Sequence, residues 1–437
     1  MSQVVAYVLG IVVLIIGIGL SVALHELGHM IPAKRFGVKV PEYFIGFGPR
    51  LWSVKRGETE YGVKAIWLGG YVKLLGMVPP AKPGRTDKPD SMVADARAES
   101  LAELGPDEQH RAFYRLSVPK KLIVMAGGIL TNLTLGVILL ALALGVVGQS
   151  AYTSTLASVS ACVPADVDAA SACADAGAPS PAAAAGLRVG DEIRSWNGAP
   201  TATWAQVQQA IRASGTAPAA VVVERDGQEL TLTVTAVEVP RTVYAADGSV
   251  VTGADGEPLT EQRPYVGIGP ALGTHRTSPS QIPAVVGSAV GQTLRAIVTL
   301  PVGLYHAVAA GLGAEKRNPE GLVSLVGVGR IAGEVSSAGA GSGTVPFSVR
   351  LFSMLSLLGS LNLALFAFNL IPLLPLDGGH VAGALWEGAR RRIARRRGRP
   401  DPGYVDTARM LPVGQAVFVL LIIMTLVLVW VDVVAPL

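Results

Sequence analysis

The chain has 437 residues, of which 50% are hydrophobic and 16% are charged, and its formal net charge is +4. Ordinary soluble domains carry about 25% charged residues, and here the apolar residues gather in runs long enough to cross a bilayer. This composition excludes a purely soluble protein and predicts a polytopic α-helical membrane protein. Because much of the basic charge flanks apolar runs, it favours cytoplasmic loops over a nucleic-acid partner.

Four segments have the length of spanning helices, and they lie at roughly 4–33, 122–148, 350–375 and 412–434. The first lacks a basic n-region and a cleavage site, so we expect a retained helix rather than a signal peptide. The third contains Asn362, Asn369, Pro372 and Pro375, so its second half is not expected to be regular helix. Irregular backbone at membrane depth is tolerated where it lines a cavity, which marks this point as a candidate site.

Basic residues in two loops predict the orientation. Loops rich in Lys and Arg stay in the cytoplasm, which would leave the N-terminus, the central region and the C-terminus outside. A nucleic-acid patch is the weaker interpretation of the arginine run, since the run lies between two spans. The residues concerned are Lys34, Arg35, Arg50, Lys55, Arg56, Lys120 and Lys121 in the first loop, and Arg390, Arg391, Arg392, Arg395, Arg396, Arg397 and Arg399 in the second.

The predicted N-terminal membrane part, residues 1–148, comprises the HELGH helix, the first loop and the second span. Residues 38–75 favour β-structure, in four runs that begin with Val38-Lys39-Val40, and Arg56-Gly57-Glu58 is a turn signal. This predicts a β-sheet on the cytoplasmic side. Residues 79–110 are rich in Pro, Asp and Ala, and we expect a mobile loop without chemistry there.

Residues 150–240 have a soluble character and predict a small α+β domain. Ser180-Pro181 opens a short helix that ends at Gly186, and Asn197-Gly198 is a hairpin signal. A second helix is expected at Trp204–Ala213, before two paired strands. Cys162 and Cys173 are the only cysteines, and either a disulfide or two free thiols fits them.

Residues 241–348 are predicted to form a linker and amphipathic helices outside the membrane. The stretch 282–304 is long enough for a fifth crossing, but Thr293 and Arg295 favour an amphipathic helix on the outer face or at a gate. A crossing here would also place the arginine cluster outside. Residues 350–437 form the C-terminal membrane part.

The sharpest signal is His25-Glu26-Leu27-Gly28-His29, near the end of the first span. Residues four apart share a helix face, so both imidazoles can reach one metal ion, and zinc accepts neutral nitrogen ligands. Glu26 is rotated off that line, where its carboxylate can take a proton from water and return it to the leaving amine. Burying ionisable side chains inside a membrane span costs free energy, so such residues usually have a function. We therefore favour a metal site over the alternative, a structural His pair that is hydrogen-bonded to backbone carbonyls.

A tetrahedral site with one open position needs a third protein ligand. The best candidate is Asp377 in Leu376-Asp377-Gly378-Gly379-His380, at the cytoplasmic end of the third span and at the depth of His25 and His29. The alternative for Asp377 is a helix-end cap. We expect His380 to pack beside the ligands rather than bind. This ligand set favours zinc over other divalent metals.

With HELGH in the first span, LDGG at the end of the third and a small domain between them, the chain resembles the site-2 protease family of intramembrane metalloproteases. It is most similar to the bacterial branch that releases sigma factors by cutting membrane-spanning anti-sigma factors. The resemblance covers most of the chain and extends to the stretches Tyr43–Pro49, Gly57–Lys64, Leu68–Val72 and Asn369–Gly379.

The resemblance implies a zinc-dependent endopeptidase of the plasma membrane with its site toward the cytoplasm. His25, His29 and Asp377 would hold Zn2+ and Glu26 would be the base. The sheet would dip into the membrane and hold the substrate. The family usually has Pro after Ala-Gly in the second span, where this chain has Gly128. The substrate contacts would be Asn369, Pro372, Pro375 and Asn132.

The resemblance also implies partners. Substrates would be single-span membrane proteins, namely anti-sigma factors and signal-peptide remnants, after a first cut by a site-1 protease. Membrane lipid would surround the enzyme, and no nucleic acid would be bound. Residues 155–238 look like one extracytoplasmic PDZ domain, a fold that takes up extended peptides by strand addition and that acts in this family as a size filter or as a sensor of a cut substrate end.

Two other functions fit parts of the sequence. A catalytically inactive PDZ scaffold in the membrane predicts a damaged motif, yet His25, Glu26, His29 and Asp377 are all present. A metal transporter also places His and Asp inside spans. It has no need of Glu26 or of a peptide-binding domain, and it would favour internal repeats of spans.

Overall fold

The computed structural model describes residues 2–81, 84, 86–89, 91–102, 104–163, 178–245, 250–253, 257–318, 321–340 and 345–436. The α-helices are α1 (Gln3–Arg35), α2 (Met92–Ala102), α3 (Val118–Leu142), α4 (Pro181–Ala184), α5 (Trp204–Ser214), α6 (Ile282–Val298), α7 (Leu300–Gly311), α8 (Leu325–Ser337), α9 (Phe347–Asn369), α10 (Asp377–Arg396) and α11 (Leu411–Val434). The strands are β1 (Glu42–Arg56), β2 (Thr59–Lys73), β3 (Gln149–Val159), β4 (Glu192–Trp196), β5 (Ala199–Pro200), β6 (Ala219–Arg225), β7 (Gln228–Val234), β8 (Val237–Thr242), β9 (Thr260–Tyr265) and β10 (Ile268–His275).

The chain forms two compact units, which we call the helical unit (Met1–Gly148 with Arg276–Leu437) and the inserted unit (Gln149–His275). Within the described residues of the helical unit, four helical segments are long and apolar enough to cross a membrane, as the sequence predicts. A fifth would be added if α6 and α7, which are bent by 75° at Thr299, counted as one span. The four segments are Gln3–Arg35, Val118–Val147, Phe347–Asn369 and Thr407–Val434.

The third of these helices breaks where the sequence predicts. α9 ends at Asn369, and an irregular segment that contains Pro372 and Pro375 leads into α10. Asn362, which we also expected in the irregular part, lies within regular helix. Its Nδ2 donates there to Leu358 O and to Ser21 Oγ of α1, both at 2.9 Å, whereas its Oδ1 has no hydrogen-bond partner among the described residues.

The predicted β-region is one hairpin of two 15-residue strands rather than four short ones. The strands bend back on themselves, so that Tyr43 of β1 pairs with both Tyr61 and Val72 of β2. Residues 38–40 are not a strand; Val38 and Val40 are 1% and 0% exposed and belong to the hydrophobic core next to the hairpin.

The prediction of a mobile loop at 79–110 is wrong for the described part of that segment. It contains α2 and a 3₁₀ turn at Pro106–Arg111, and it is held by Arg97, which is 6% exposed. The Arg97 guanidinium contacts Asp87 at 2.6 Å, Asp406 at 2.8 Å and the carbonyl of Pro79. A buried arginine shared by two carboxylates fixes this segment against the chain between α10 and α11.

Replacement of Arg97 by Gln should free α2. The change removes the buried Arg97 cation from the partly buried Asp87 and Asp406, of which Asp406 keeps Arg409 at 3.3 Å, at a cost on the order of 3 kcal/mol. Limited proteolysis with thermolysin in detergent, followed by mass spectrometry, should show cuts within α2 that wild type resists. Arg111→Gln is the control, because its ion pairs with Glu58 and Glu108 are half-exposed and surface pairs contribute little. Equal protection of α2 in all three proteins would refute this role of Arg97.

The inserted unit is a sheet with the strand order β10-β3-β4-β6-β7, to which β5 pairs at β4, and a separate hairpin of β8 and β9. The predicted turn at Asn197-Gly198 is present, with both residues at positive φ. The unit runs to His275, beyond the predicted boundary at 240, because β10 pairs with β3. Cys162 is buried, while Cys173 lies outside the described residues.

A buried ion pair makes the inserted unit sensitive to acid. Asp191 is 1% exposed, and its carboxylate accepts hydrogen bonds from Arg225 at 2.7 and 2.8 Å and from the Arg188 N–H at 2.8 Å. Burial alone would raise the pKa of Asp191, but these donors prevail and hold that pKa below its usual value. The stability from this carboxylate is therefore complete above the unfolded-state pKa of about 3.9 and is lost as the pH falls through the lower folded value.

We expect hydrogen-exchange protection in the inserted unit, corrected for intrinsic rates, to fall between about pH 6 and about pH 3. Asp191→Asn should be less protected at the higher pH and should lose less on acidification. An equal acid-induced loss in both proteins would contradict this assignment to Asp191.

Candidate metal centre

The two histidines of the HELGH motif lie on one face of α1, one turn apart. His25 Nε2 and His29 Nε2 are 3.2 Å apart, and the two rings are nearly perpendicular. His29 is only 4% exposed. At this distance the two Nε2 atoms can share one proton or bind one metal ion.

The junction between α9 and α10 brings Asp377 to the same point. Asp377 Oδ2 lies 3.2 Å from the Nε2 atoms of both His25 and His29. Asp377 is the first residue of α10, and Gly378 and Gly379 follow it. A Cβ at Gly378 would overlap the carbonyl of Ile371, and one at Gly379 would lie 2.6 Å from the Leu374 nitrogen. The two glycines let the irregular segment fold back over the start of α10.

The three ligand atoms fit a zinc ion. Nitrogen and oxygen ligands at about 2.0–2.1 Å in tetrahedral geometry lie roughly 3.3–3.4 Å from one another. The distances between the three atoms here are 3.2 Å each. Two imidazoles and one carboxylate are also a donor set that zinc takes in catalytic sites, where a fourth position stays open. Among the described residues, these three are the group that can hold a metal ion.

A backbone contact from α3 orients His29. Its Nδ1–H donates to the carbonyl of Val124 at 2.8 Å, which leaves the Nε2 lone pair directed at the site. His25 Nδ1 is buried and has no hydrogen-bond partner among the described residues. The second span thus supports the site through its backbone, which the sequence motifs do not reveal.

Glycines let α3 approach α1 at this point. A Cβ at Gly127 would lie 2.9 Å from the carbonyl carbon of Gly28 and would overlap its oxygen. A Cβ at Gly128 would overlap His29 Nε2 and lie 2.7 Å from His29 Cδ2 and Cε1. Gly128, where the related family usually has proline, therefore makes room for the imidazole.

Glu26 lies outside the ligand group and faces the hairpin. Its Cγ is 3.6 Å from the position of a Cβ on Gly70, and its carboxylate lies near the backbone of Val72. Tyr43 of β1 holds the hairpin to α1, because its hydroxyl donates to Ala23 O at 2.7 Å. Tyr43 was not among the predicted site residues; its signals in the sequence were a β-favouring run and its place in the stretch Tyr43–Pro49 that resembles the family.

The residues predicted to contact substrate fall in two places. Asn369 ends α9, and its carbonyl is 2.8 Å from the position of a Cβ on Gly378, while Pro372 and Pro375 are exposed on the irregular segment. Asn132 is 1% exposed in α3, and its Oδ1 has no hydrogen-bond partner among the described residues. The structure therefore places the first three at the junction that carries Asp377, and Asn132 one helical turn beyond Gly128.

An ion pair that was not predicted from the sequence lies beside the site. Lys121 Nζ of α3 and Glu387 Oε2 of α10 are 2.8 Å apart, with side chains 7% and 3% exposed. They fix α10 against α3 ten residues after Asp377. His380 lines a small cavity of about 30 Å³ with them, and it is not part of the ligand group.

Comparison with known proteins agrees with this geometry. The model of peptidase family M50 matches residues 13–405. The chain is 35% identical over 439 residues to zinc metalloprotease Rip1 of Mycobacterium tuberculosis, with 98% of each chain covered. It is 31% identical to zinc metalloprotease Rip1 of Mycolicibacterium smegmatis, again over 98% of each chain. It is 27% identical to metalloprotease MmpA of Caulobacter vibrioides, over 90% of this chain and 89% of the relative.

The matched region runs from the first apolar helix to beyond the end of α10, so it includes the HELGH motif, the inserted unit and Asp377. The match therefore covers most of the chain, and the ligand geometry and the four apolar helices agree with it. The chain belongs to peptidase family M50, the site-2 protease family, and is a multi-pass membrane zinc metalloendopeptidase.

Proposed function

We propose that this enzyme hydrolyses a peptide bond within or near the membrane-spanning segment of single-span membrane proteins, with anti-sigma factors as the main substrates. The observation that carries the proposal is the position of the candidate metal site. Asp377 Oδ2 lies 3.2 Å from the Nε2 atoms of both His25 and His29, in the last third of a 33-residue apolar helix that is long enough to cross a membrane. Signal-peptide remnants are a second substrate class, and an upstream site-1 protease would make the first cut.

The metal ligands in this proposal are His25, His29 and Asp377. When bound, zinc supplies Lewis-acid polarisation of the substrate carbonyl and lowers the pKa of a water molecule. Val124 O fixes the His29 tautomer so that Nε2 faces the metal. Glu26, next to His25 but outside the ligand group, accepts a proton from the attacking water and returns it to the leaving amine.

The hairpin gives the substrate a place to unwind. A helix in lipid has all its backbone groups bonded internally, so a protease must offer alternative partners. Gly70–Val72 of β2 pair with Tyr43–Ile45 on one side, and their other side lies toward Glu26. An extended substrate segment added at this edge would pass the base, Glu26. Further contacts would come from Asn369, Pro372 and Pro375 at the Asp377 junction and from the amide of Asn132.

The orientation of the chain across the membrane is part of the proposal. The loops with most Lys and Arg lie on the cytoplasmic side of the plasma membrane, so the zinc site is close to that face. The inserted unit is then extracytoplasmic and acts as a PDZ domain. Supporting this, a groove of about 380 Å³ runs between α5 and the segment Tyr265–Ile268. PDZ domains take up an extended peptide by strand addition.

The test is cleavage of a single-span anti-sigma-type protein, trimmed of its outer domain, by purified enzyme in nanodiscs. Mass spectrometry of both products should place the cut within the apolar segment. The matched substrate carries the same flanks around a soluble linker and should stay intact. Equal cleavage of both substrates would overturn the intramembrane assignment, and no cleavage of any span by zinc-loaded enzyme would favour a membrane scaffold.

A further inference from the structure

α10 presents an apolar row to the outside of the helical unit. Its buried face carries Ala384, Glu387 and Ala394. On other sides, Leu385 is 56%, Trp386 59% and Ile393 46% exposed. With 3.6 residues per turn, these three side chains fall on one side of the helix. Single exposed apolar residues are ordinary, whereas a row of them marks a contact surface.

Arginines flank this row. Arg391 turns inward to Glu387 at 3.0 Å and to Asp401 at 3.6 Å. In the part of the chain that the structure describes, the other six arginines of this run pair with no carboxylate. By helical position, Arg392 lies along one side of the row and Arg390 and Arg397 along the other. The six are Arg390, Arg392, Arg395, Arg396, Arg397 and Arg399.

An apolar row between basic edges is the pattern of a helix that lies on an anionic bilayer. Tryptophan favours the headgroup level, and clustered arginines attract acidic lipids. α10 also stays within reach of the membrane, since it follows α9 and precedes α11, two helices able to span. A nucleic acid would engage the arginines but would give no reason for Leu385 and Ile393 to be exposed.

We propose that α10 docks on acidic phospholipid headgroups and that this contact helps to hold Asp377 beside His25 and His29. Asp377 is the first residue of the same continuous 20-residue helix. Lys121 holds α10 from its buried side at Glu387, and the bilayer would hold it from the opposite side. The inference rests on the proposed function, because it places this face at the cytoplasmic surface of the membrane.

The experiment uses the full-length enzyme in nanodiscs of phosphatidylcholine, with or without phosphatidylglycerol. Wild type should cleave the single-span substrate with a kcat/KM about fivefold higher in the anionic discs. In the quadruple variant Arg392→Gln, Arg395→Gln, Arg396→Gln and Arg397→Gln the ratio should fall to about one. The matched variant with Lys at the same four positions keeps the charge and should keep the lipid dependence.

A second readout does not need activity. Native mass spectrometry should count fewer retained phosphatidylglycerol molecules on the Gln variant than on wild type or the Lys variant. Unchanged lipid retention, or a wild-type rate indifferent to lipid charge, would overturn the proposal. Binding of a DNA duplex that the Gln substitutions abolish, without any effect on lipid retention, would overturn it in favour of a nucleic-acid partner. Inactivity of wild type in every disc, with lipid retention as expected, would overturn the proposed function instead.

Discussion

Glu26→Gln should retain zinc and lose catalysis. Gln keeps the size of the side chain beside Gly70 and Val72 but cannot accept a proton from water. Because Glu26 lies outside the group His25, His29 and Asp377, the metal content should stay at the wild-type value. General-base catalysis contributes about 10²–10⁴-fold, so kcat should fall by that factor. The measurement is cleavage rate and zinc content on the same purified samples.

Asp377→Asn is the comparison for this result. It should lose zinc together with activity, since a neutral amide replaces the carboxylate that lies 3.2 Å from both imidazoles. If Glu26→Gln lost the metal as well, Glu26 would be a ligand and not the base. If it cleaved at the wild-type rate, another residue would have to move the proton.

Gly128→Ala should disable the site through a single added methyl group. The new Cβ would overlap His29 Nε2 and lie 2.7 Å from two further ring atoms, so the imidazole has to leave its place. His29 would then give up its contact to Val124 O and its position near Asp377. We expect zinc affinity to fall by about 10–100-fold, the effect of disturbing a ligand's supporting contacts, and activity to fall with it.

The control is Gly291→Ala in α6, where a Cβ would meet no atom within 4 Å. Ala is about 1 kcal/mol more favourable than Gly inside a helix, so this variant should be at least as stable as wild type and fully active. Normal zinc affinity in Gly128→Ala, measured by competition with a chelator, would show that α3 does not set the position of His29.

The proposed ligand set could be inferred from sequence because its signals are local or compositional. The spacing of His25 and His29 gives one helix face, and the prolines after Asn369 mark the break that brings Asp377 to it. The sequence could not show which backbone lies behind each ligand. Val124 and Gly128 support His29 from 95 and 99 positions away in the chain, and nothing in their composition indicates it.

The same limit explains the wrong prediction for residues 79–110 and the wrong boundary predicted for the inserted unit. Arg97 and Asp406 are 309 positions apart, and each looks like an ordinary surface charge. β10 pairs with β3 across more than a hundred residues, so a short β-favouring run near Ile268 gave no sign that it completes a sheet. Local turns such as Asn197-Gly198 were predictable because their geometry depends on neighbouring residues.

The most direct test of the central claim is X-ray absorption at the zinc edge of the purified wild-type enzyme, with zinc content measured in parallel for His25→Ala, His29→Ala and Asp377→Ala. We expect one zinc per chain with two imidazole nitrogens and an oxygen at about 2.0–2.1 Å, and loss of the metal in each variant. A spectrum without imidazole scattering, or full zinc occupancy in all three variants, would contradict the site described here.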